Sequence, residues 1–280
     1  MIQLFSKNHL LALLALLSVN TISSSLTADD CCYSPKCNRF YIGAFGGENY
    51  SNKTRLSQQG TAFFFEEFGG ALAVYAQGNA RKTSTGFGGA QIGYELLQNP
   101  WNLGCSDWNI TPAAEIEAFF YSHTKKGDLI NPTDRLDEHD FRNSFPMDVG
   151  VYLVNGIFSI NSCCLGSFTP YIGGGIGAAN LSIHKAKSFQ IDPPEPGVNH
   201  FNSKRHDSDW AFAAQAKTGV RFNFCERFHI FAEYRFLFVD SSSYIFGSTV
   251  SPGHAVTSPW NVDVKNMYYN SFAVGIQFDL

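Results

Sequence analysis

The chain has 280 residues, of which 44% are hydrophobic and only 16% charged, with 26 Phe, 25 Gly and a net charge of −4. Glycine weakens helix interiors and phenylalanine favours strands, so this composition excludes an ordinary helical protein. The aromatic content excludes a disordered chain, and the lack of a three-residue glycine period excludes collagen. Because the chain has no basic excess, we expect no nucleic-acid partner.

The first 28 residues have the features of a secretory signal peptide. A short basic start precedes an unbroken apolar run over residues 10–19, and a stretch of small and polar residues follows. The run is shorter than the roughly 18 residues that a transmembrane helix takes. We therefore predict cleavage after Ala28, export of the remaining chain, and a cysteine-rich periplasmic segment over residues 29–38.

Eight later segments have the length and alternation of strands that cross a bilayer, which takes about 9–11 tilted residues each. They are 39–50, 85–97, 108–123, 145–160, 168–184, 210–224, 227–239 and 266–280. The period of two is clearest in the last segment, where Phe272 and Ile276 lie on one face and Gln277 on the other. This pattern predicts an all-β protein whose strands each have one apolar face.

The connections between these segments alternate between short and long. The short ones are 98–107, 161–167 and 225–226, and the long, polar ones are 51–84, 124–144, 185–209 and 240–265. Outer-membrane barrels have short periplasmic turns and long extracellular loops. We therefore predict a transmembrane antiparallel up-and-down β-barrel over residues 39–280, embedded in outer-membrane lipid, with eight strands. The long connections are expected to be solvated loops that contact a host or surface ligand.

One part of the first long connection does not fit a solvated loop. Residues 61–77 are apolar and include Phe63, Phe64 and Phe65. They could form an additional extracellular hairpin, fold inward as a plug, or supply wall strands that make the barrel ten-stranded or larger.

Several segments resemble the small outer-membrane β-barrel family that includes the transmembrane domain of the OmpA protein and the opacity-type proteins. The resemblance rests on FYIGAFGG at 40–47, GFGGAQIGYELL at 86–97, PYIGGGIGAA at 170–179 and FAVGIQFDL at 272–280. It covers the chain from about residue 39 onward and implies a barrel of this family's type in the bacterial outer membrane.

The seven cysteines all fall before the first strand or in a short turn, which places them at the periplasmic rim. They are Cys31, Cys32, Cys37, Cys105, Cys163, Cys164 and Cys225. An oxidising compartment permits disulfides, and the odd number leaves at least one thiol free or paired with another chain. The residues are compatible with bridges to other envelope proteins or with three internal bridges. Such a rim resembles the disulfide-cross-linked major outer-membrane proteins of chlamydiae.

The polar faces of the strands carry charged residues that a barrel would direct into its lumen. They are Glu95, Glu115, Glu117, Asp148, Lys217, Arg221, Glu233 and Arg235. An eight-stranded barrel is only wide enough to be filled by side chains, and buried charges need partners. We expect Glu95 to meet Lys217 or Arg221 in an ion-paired plug. A narrow, charge-lined pore is the alternative.

Catalysis has little support in the sequence. His123, His139, His184, His206 and His254 occur singly in different segments, and the chain has no G-x-S-x-G and no H-E-x-x-H. We predict that the chain is not an enzyme and has no cofactor and no metal site. The predicted role is structural or interactive at the cell surface, and the alternative is a porin with a narrow diffusion channel.

Overall fold

The computed structural model describes residues 37–103, 107–132 and 139–280. They form fifteen strands and two single helical turns. The strands are β1 (Arg39–Ser51), β2 (Thr54–Phe63), β3 (Ala71–Ala80), β4 (Thr83–Glu95), β5 (Trp101–Asn102), β6 (Asn109–Ile130), β7 (Asp140–Asn161), β8 (Phe168–Ile183), β9 (Lys187–Asp192), β10 (Asp207–Asn223), β11 (Phe228–Val239), β12 (Ser242–Phe246), β13 (Val256–Thr257), β14 (Trp260–Val264) and β15 (Met267–Asp279). Among these residues no helix is long and apolar enough to cross a membrane. The predicted signal peptide lies outside the described residues.

Eight strands close into a ring in which each is antiparallel to both neighbours. The order is β1, β4, β6, β7, β8, β10, β11 and β15, and β15 pairs back with β1. Each ring strand corresponds to one of the eight segments selected from the sequence. The predicted eight-stranded, antiparallel up-and-down barrel is therefore confirmed.

The outer face of the ring is apolar. Cross-strand neighbours in five consecutive ring strands are Ile42, Ile92, Ile116, Val154 and Ile176. All five side chains are exposed on the protein surface. An uninterrupted aliphatic row of this kind is stable against hydrocarbon and unfavourable against water.

Rows of aromatic side chains border this aliphatic row on both sides. Towards the short turns, the ring centroids of Phe40 and Tyr94 lie 4.6 Å apart. Towards the long connections, the ring centroids of Tyr152 and Trp210 lie 6.0 Å apart. Aromatic girdles at both edges of an apolar band are a feature of barrels that span membranes. We call the aliphatic row and its two aromatic borders the belt.

Aromatic rings on the inner face cover glycines directly across from them. The pairs are Tyr41 with Gly93, Phe45 with Gly89, Tyr171 with Gly219 and Phe231 with Gly275. A Cβ added at Gly93 would lie 2.2 Å from the Tyr41 ring. Each of these four rings occupies the space that a side chain on the neighbouring strand would otherwise fill, so the packing of the lumen requires glycine at the four facing positions.

The long connections are not the solvated loops that the sequence predicted. They contain β2, β3, β9, β12, β13 and β14, which pair with each other and with the outer ends of β6 and β7. We call this part of the protein the head. Apolar side chains fill its interior, namely Leu56, Val74, Leu129, Phe141, Phe145, Phe201, Tyr244, Phe246, Trp260, Val262 and Val264. β12 and β14 alternate over only five residues each, and the ten residues of β2 carry the polar Gln58 at a buried position, so neither pattern marks a strand by sequence.

Residues 61–77 belong to the β2–β3 hairpin of the head. Of the three alternatives left open by the sequence, the structure selects the additional hairpin, since β2 and β3 pair with each other and lie outside the eight-stranded ring. The connection 124–144 is also different from its prediction: β6 and β7 extend into it as one long ladder, which leaves only residues 131–139 between them.

Candidate functional site

Seven of the eight charged residues assigned to the lumen are buried inside the barrel. They are Glu95, Glu115, Glu117, Lys217, Arg221, Glu233 and Arg235. Each lies on the inner face of a strand whose outer face belongs to the belt. Because successive side chains of a strand point to opposite faces, the sequence pattern that identifies the apolar outer face also identifies the residues that line the lumen.

Asp148 is the exception, and its assignment to the lumen is wrong. Its side chain lies on the outer face of β7, 59% exposed, where it is 3.3 Å from His184 and accepts a hydrogen bond of 2.5 Å from Ser122. The inner face of β7 carries Val149 and Val151 instead. Both faces of this strand are apolar near Asp148, so alternation alone could not establish its phase.

The first layer of the lumen lies at the end with the short turns. The Glu95 carboxylate forms ion pairs with two guanidinium groups. The Arg39 nitrogen lies 2.8 Å from one oxygen, and the Arg221 nitrogen, from the opposite wall, lies 3.0 Å from the other. Arg39 also pairs with Asp279, which lies 2.7 Å from His229. The sequence prediction allowed Lys217 or Arg221 as the partner of Glu95, because β4 and β10 face each other across the ring, and the structure has Arg221.

The second layer is centred on two cations and three carboxylates. Lys217 is placed between Glu115, at 2.5 Å, and Glu117, at 3.0 Å, and Arg235 lies 3.1 Å from Glu117 and also contacts Glu233. The Lys217 and Arg235 contacts with Glu117 cross the lumen, because they join β10 and β11 to β6. Opposite walls of the barrel are therefore linked directly by charge-assisted hydrogen bonds.

Neutral polar groups complete the hydrogen bonding of the carboxylates. Tyr41 donates to Glu115 at 2.8 Å, Tyr171 donates to Glu233 at 2.9 Å, and Gln215 donates to Glu117 at 2.5 Å. The sequence prediction did not include these residues, nor Arg39, Asp279 and His229. The inward phase of Tyr41, Tyr171 and Gln215 was available from alternation, but neutral side chains gave no signal of a charged partner. Arg39 and Asp279 are charged but lie at the terminal positions of their strands, where alternation is hardest to follow.

An aromatic layer closes the lumen on the side of the head. The Arg235 guanidinium lies 3.9 Å from the centroid of the Phe45 ring, and Phe87 and Phe119 pack around the same ring. A guanidinium over an aromatic face is attracted by the ring quadrupole and also shields it from water. This layer separates the ion pairs from the interior of the head.

Little space remains between these layers. The cavity bounded by Tyr41, Glu115, Lys217, Arg221 and Glu233 has a volume of about 20 Å³. A single water molecule needs roughly 10–15 Å³ by this kind of measure, so the cavity holds one water at most. The arrangement can brace the barrel, but it leaves no room for a hydrated ion at this level.

The cysteines within the described residues lie at the same end of the barrel. Cys37 precedes β1, Cys163 and Cys164 lie in the β7–β8 turn, and Cys225 lies in the β10–β11 turn. The side chains of Cys37, Cys164 and Cys225 are exposed. The predicted positions of Cys31, Cys32 and Cys105 lie outside the described residues, and disulfide formation stays a prediction.

No protein-family model matches the chain, and no curated protein is similar in sequence. Solved structures of similar fold include the outer-membrane protein OprG from Pseudomonas aeruginosa, with 12% identity over 86% of this chain and 96% of that chain and a TM-score of 0.41. Neisserial surface protein A has 11% identity over 85% and 96% of the two chains, with a TM-score of 0.35. The outer membrane protease OmpT from Escherichia coli has 10% identity over 91% and 100%, with a TM-score of 0.38. The chain is similar to these β-barrel proteins in fold alone.

Proposed function

We propose that the chain is an integral outer-membrane β-barrel with a closed lumen, whose work is to hold a folded head at the cell surface. The observation that carries this proposal is the two-layer ion network, which joins opposite walls and encloses a cavity of only about 20 Å³ beside Lys217 and Arg221. The belt supports the membrane part of the proposal, since its apolar side chains suit contact with lipid. The closed antiparallel ring also satisfies the backbone hydrogen bonds of its strands without water.

A role in surface interaction is supported by apolar side chains at the far end of the head. Phe65 and Phe68 follow β2 and are 77% and 65% exposed, and the nearby Phe63 pairs in register with the exposed Val256. Clustered exposed apolar side chains are uncommon on a surface that meets only water. A partner at the head is the proposed use of these residues.

The experiment that tests the closed lumen is planar-bilayer conductance of the refolded chain. We expect no reproducible current steps, because Lys217, Arg221 and Arg235 bridge the walls. The positive control combines Glu95→Ala and Arg221→Ala with Glu117→Ala, Lys217→Ala and Arg235→Ala, which removes the pairs that cross the lumen in both layers, and it is expected to conduct. Reproducible steps from the unaltered, folded protein would reject a closed lumen and favour the porin alternative.

The direction of the barrel is tested by epitope insertion in living cells. The turn at Gly69 and Gly70 is at the tip of the head, where a side chain at Gly70 would contact nothing, and the turn 224–227 is at the opposite end. We expect an epitope in the first turn to bind antibody on intact cells and one in the second to bind only after permeabilisation. The reverse pattern would contradict a surface-exposed head.

A further inference from the structure

The head contains a cavity of about 210 Å³, about ten times the volume of the lumen cavity beside Lys217. Glu195, His200 and His254 line it together with Trp260. Glu195 and His200 come from the connection between β9 and β10, and His254 comes from the connection between β12 and β13. Two segments far apart in sequence thus bring two imidazoles and one carboxylate to a single cavity.

The three side chains converge on a common point. The Nε2 atoms of His254 and His200 lie 3.4 Å and 3.6 Å from the same Glu195 oxygen, and the three candidate ligand atoms are all within 4.8 Å of one another. An ion with bonds of about 2.0–2.2 Å to tetrahedral ligands holds those ligands about 3.3–3.6 Å apart. Only a small contraction would be needed to bring the three groups to those distances.

Backbone hydrogen bonds orient both imidazoles towards this point. The Nδ1 of His200 lies 3.2 Å from the Ser188 carbonyl oxygen, and the Nδ1 of His254 lies 2.6 Å from the Ala255 carbonyl oxygen. A carbonyl only accepts, so each Nδ1 carries a proton, and the nitrogen that faces Glu195 in each ring is Nε2. Three potential ligand atoms therefore face each other, an arrangement that a cation between them would stabilise once the Nε2 atoms are deprotonated. Histidine ligands of metals are oriented by this kind of hydrogen bond.

One side of the cluster is rigid and the other is accessible. The His200 side chain is 2% exposed and packs edge-on against Phe141 at 5.1 Å and Trp260 at 5.9 Å. Glu195 is 30% exposed and His254 14%. An ion can thus enter from the cavity side and meet a ligand whose position is already fixed by packing.

We propose that Glu195, His200 and His254 bind one divalent transition-metal ion of the zinc class. Imidazole nitrogens favour such ions over Mg²⁺ and Ca²⁺, which prefer shells made of oxygen. Three protein ligands leave a coordination position open towards the 210 Å³ cavity, where water or an anionic group of a ligand would complete the shell. The bound ion would also tie the two connections together. This site is independent of whether the lumen conducts.

The test is a titration of the refolded full chain, without a histidine tag and stripped of metal by a chelator. We expect one Zn²⁺ per chain by calorimetry, and a tetrahedral absorption spectrum with Co²⁺ as a probe. Glu195→Gln and His254→Ala should each weaken Zn²⁺ binding at least tenfold. The matched control is His184→Ala, which removes an exposed histidine near Asp148 and should leave the affinity unchanged.

A second measurement uses Trp260, whose indole lies 5.9 Å from the His200 ring. Co²⁺ should quench the fluorescence of the unaltered chain and of His184→Ala, but not that of His254→Ala. Folding of each variant is checked by its heat-dependent shift in gel mobility, and Glu195→Gln, which keeps size and shape, decides the test if His254→Ala fails this check. Equal Zn²⁺ affinity in the unaltered chain and in folded Glu195→Gln would overturn the site.

Discussion

Lys217 is the residue on which the second layer of the lumen depends most. Its ammonium is the shared partner of Glu115 and Glu117, and all three side chains are almost completely buried. Buried carboxylates keep their charge at low cost only while such partners are present. Removing a single lumen residue therefore lowers the stability of the fold mainly because its partners are left as buried charges without a counter-ion, and less because its own hydrogen bonds are lost.

We expect Lys217→Met to lower the free energy of unfolding by about 3–5 kcal/mol, the usual cost of breaking a buried pair. Urea unfolding of the refolded barrel in detergent measures this change. Adding Glu115→Gln and Glu117→Gln should restore most of the loss, because the orphaned charges are then gone. Lys126→Met, at an exposed position, is the matched control, and an equal loss in that variant would contradict the role of Lys217.

Glycines of the inner face supply a second residue-scale prediction. Gly93→Ala places a methyl group against the Tyr41 ring, and overpacking of this kind costs about 1–3 kcal/mol. Gly88→Ala on the same strand meets only a carbonyl oxygen at 3.7 Å and should be close to neutral. Thermal unfolding of the two variants compares them, and equal stability would show that the space at Gly93 is not limiting.

At the level of elements, β12 pairs with β14 inside the head but is attached to the ring strand β10 through side chains instead of through a ladder. Asp207 accepts from the Ile245 N–H at 2.7 Å, and Asp209 accepts from the Ser243 N–H at 2.9 Å. Burial alone would raise the pKa of the Asp207 carboxyl, but the Ile245 N–H and the Lys204 ammonium hold that pKa below its ordinary value of 3.8. The attachment of β12 is thus linked to pH.

A carboxyl whose pKa is lower in the folded protein stabilises it above the unfolded pKa, and this stabilisation is lost as the pH falls through the folded value. We therefore expect β12 to become more susceptible to pepsin as the pH falls below about 4. Asp207→Asn should weaken this dependence on pH, while Asp192→Asn, at an exposed position of β9, should retain it. Identical profiles in the two variants would exclude Asp207 as the cause.

For the whole molecule, the barrel has two different ends, and ion pairs cross its lumen between them. The head lies at one end, and the exposed thiols of Cys37, Cys164 and Cys225 lie at the other. Exposed thiols at a rim can reach other chains more readily than thiols inside a wall. A link between barrel and envelope is the role we expect for this end.

We predict that native envelopes separated on non-reducing gels contain high-mass species of this chain that collapse to the monomer on reduction. Cys225→Ser should reduce their amount, because Cys225 lies on an exposed turn. Blocking free thiols before lysis controls for oxidation during preparation. A single monomeric band from blocked, unreduced envelopes would reject cross-linking between chains.

Most of the barrel could be predicted from the sequence because its determinants are local. Alternation within each segment establishes which face is apolar, and the alternating connection lengths establish the order of the strands. The lumen charges followed from the same phase, and the partner of Glu95 was narrowed to Lys217 or Arg221 because opposite strands of an eight-membered ring face each other. Asp148 was misplaced where both faces of β7 are apolar and alternation carries no information.

The head was decided only by the tertiary structure, because its strands are short and their partners are distant. Gln59 pairs with Asn261, for example, across more than two thirds of the chain. The alternation around Asn261 spans only five residues, and the segment around Gln59 has no continuous apolar face. The cluster of Glu195, His200 and His254 has the same origin, since its members are brought together by folding of two separate connections. Local periodicity in the sequence determined the eight-stranded ring, whereas packing between strands that are distant in sequence determined the head.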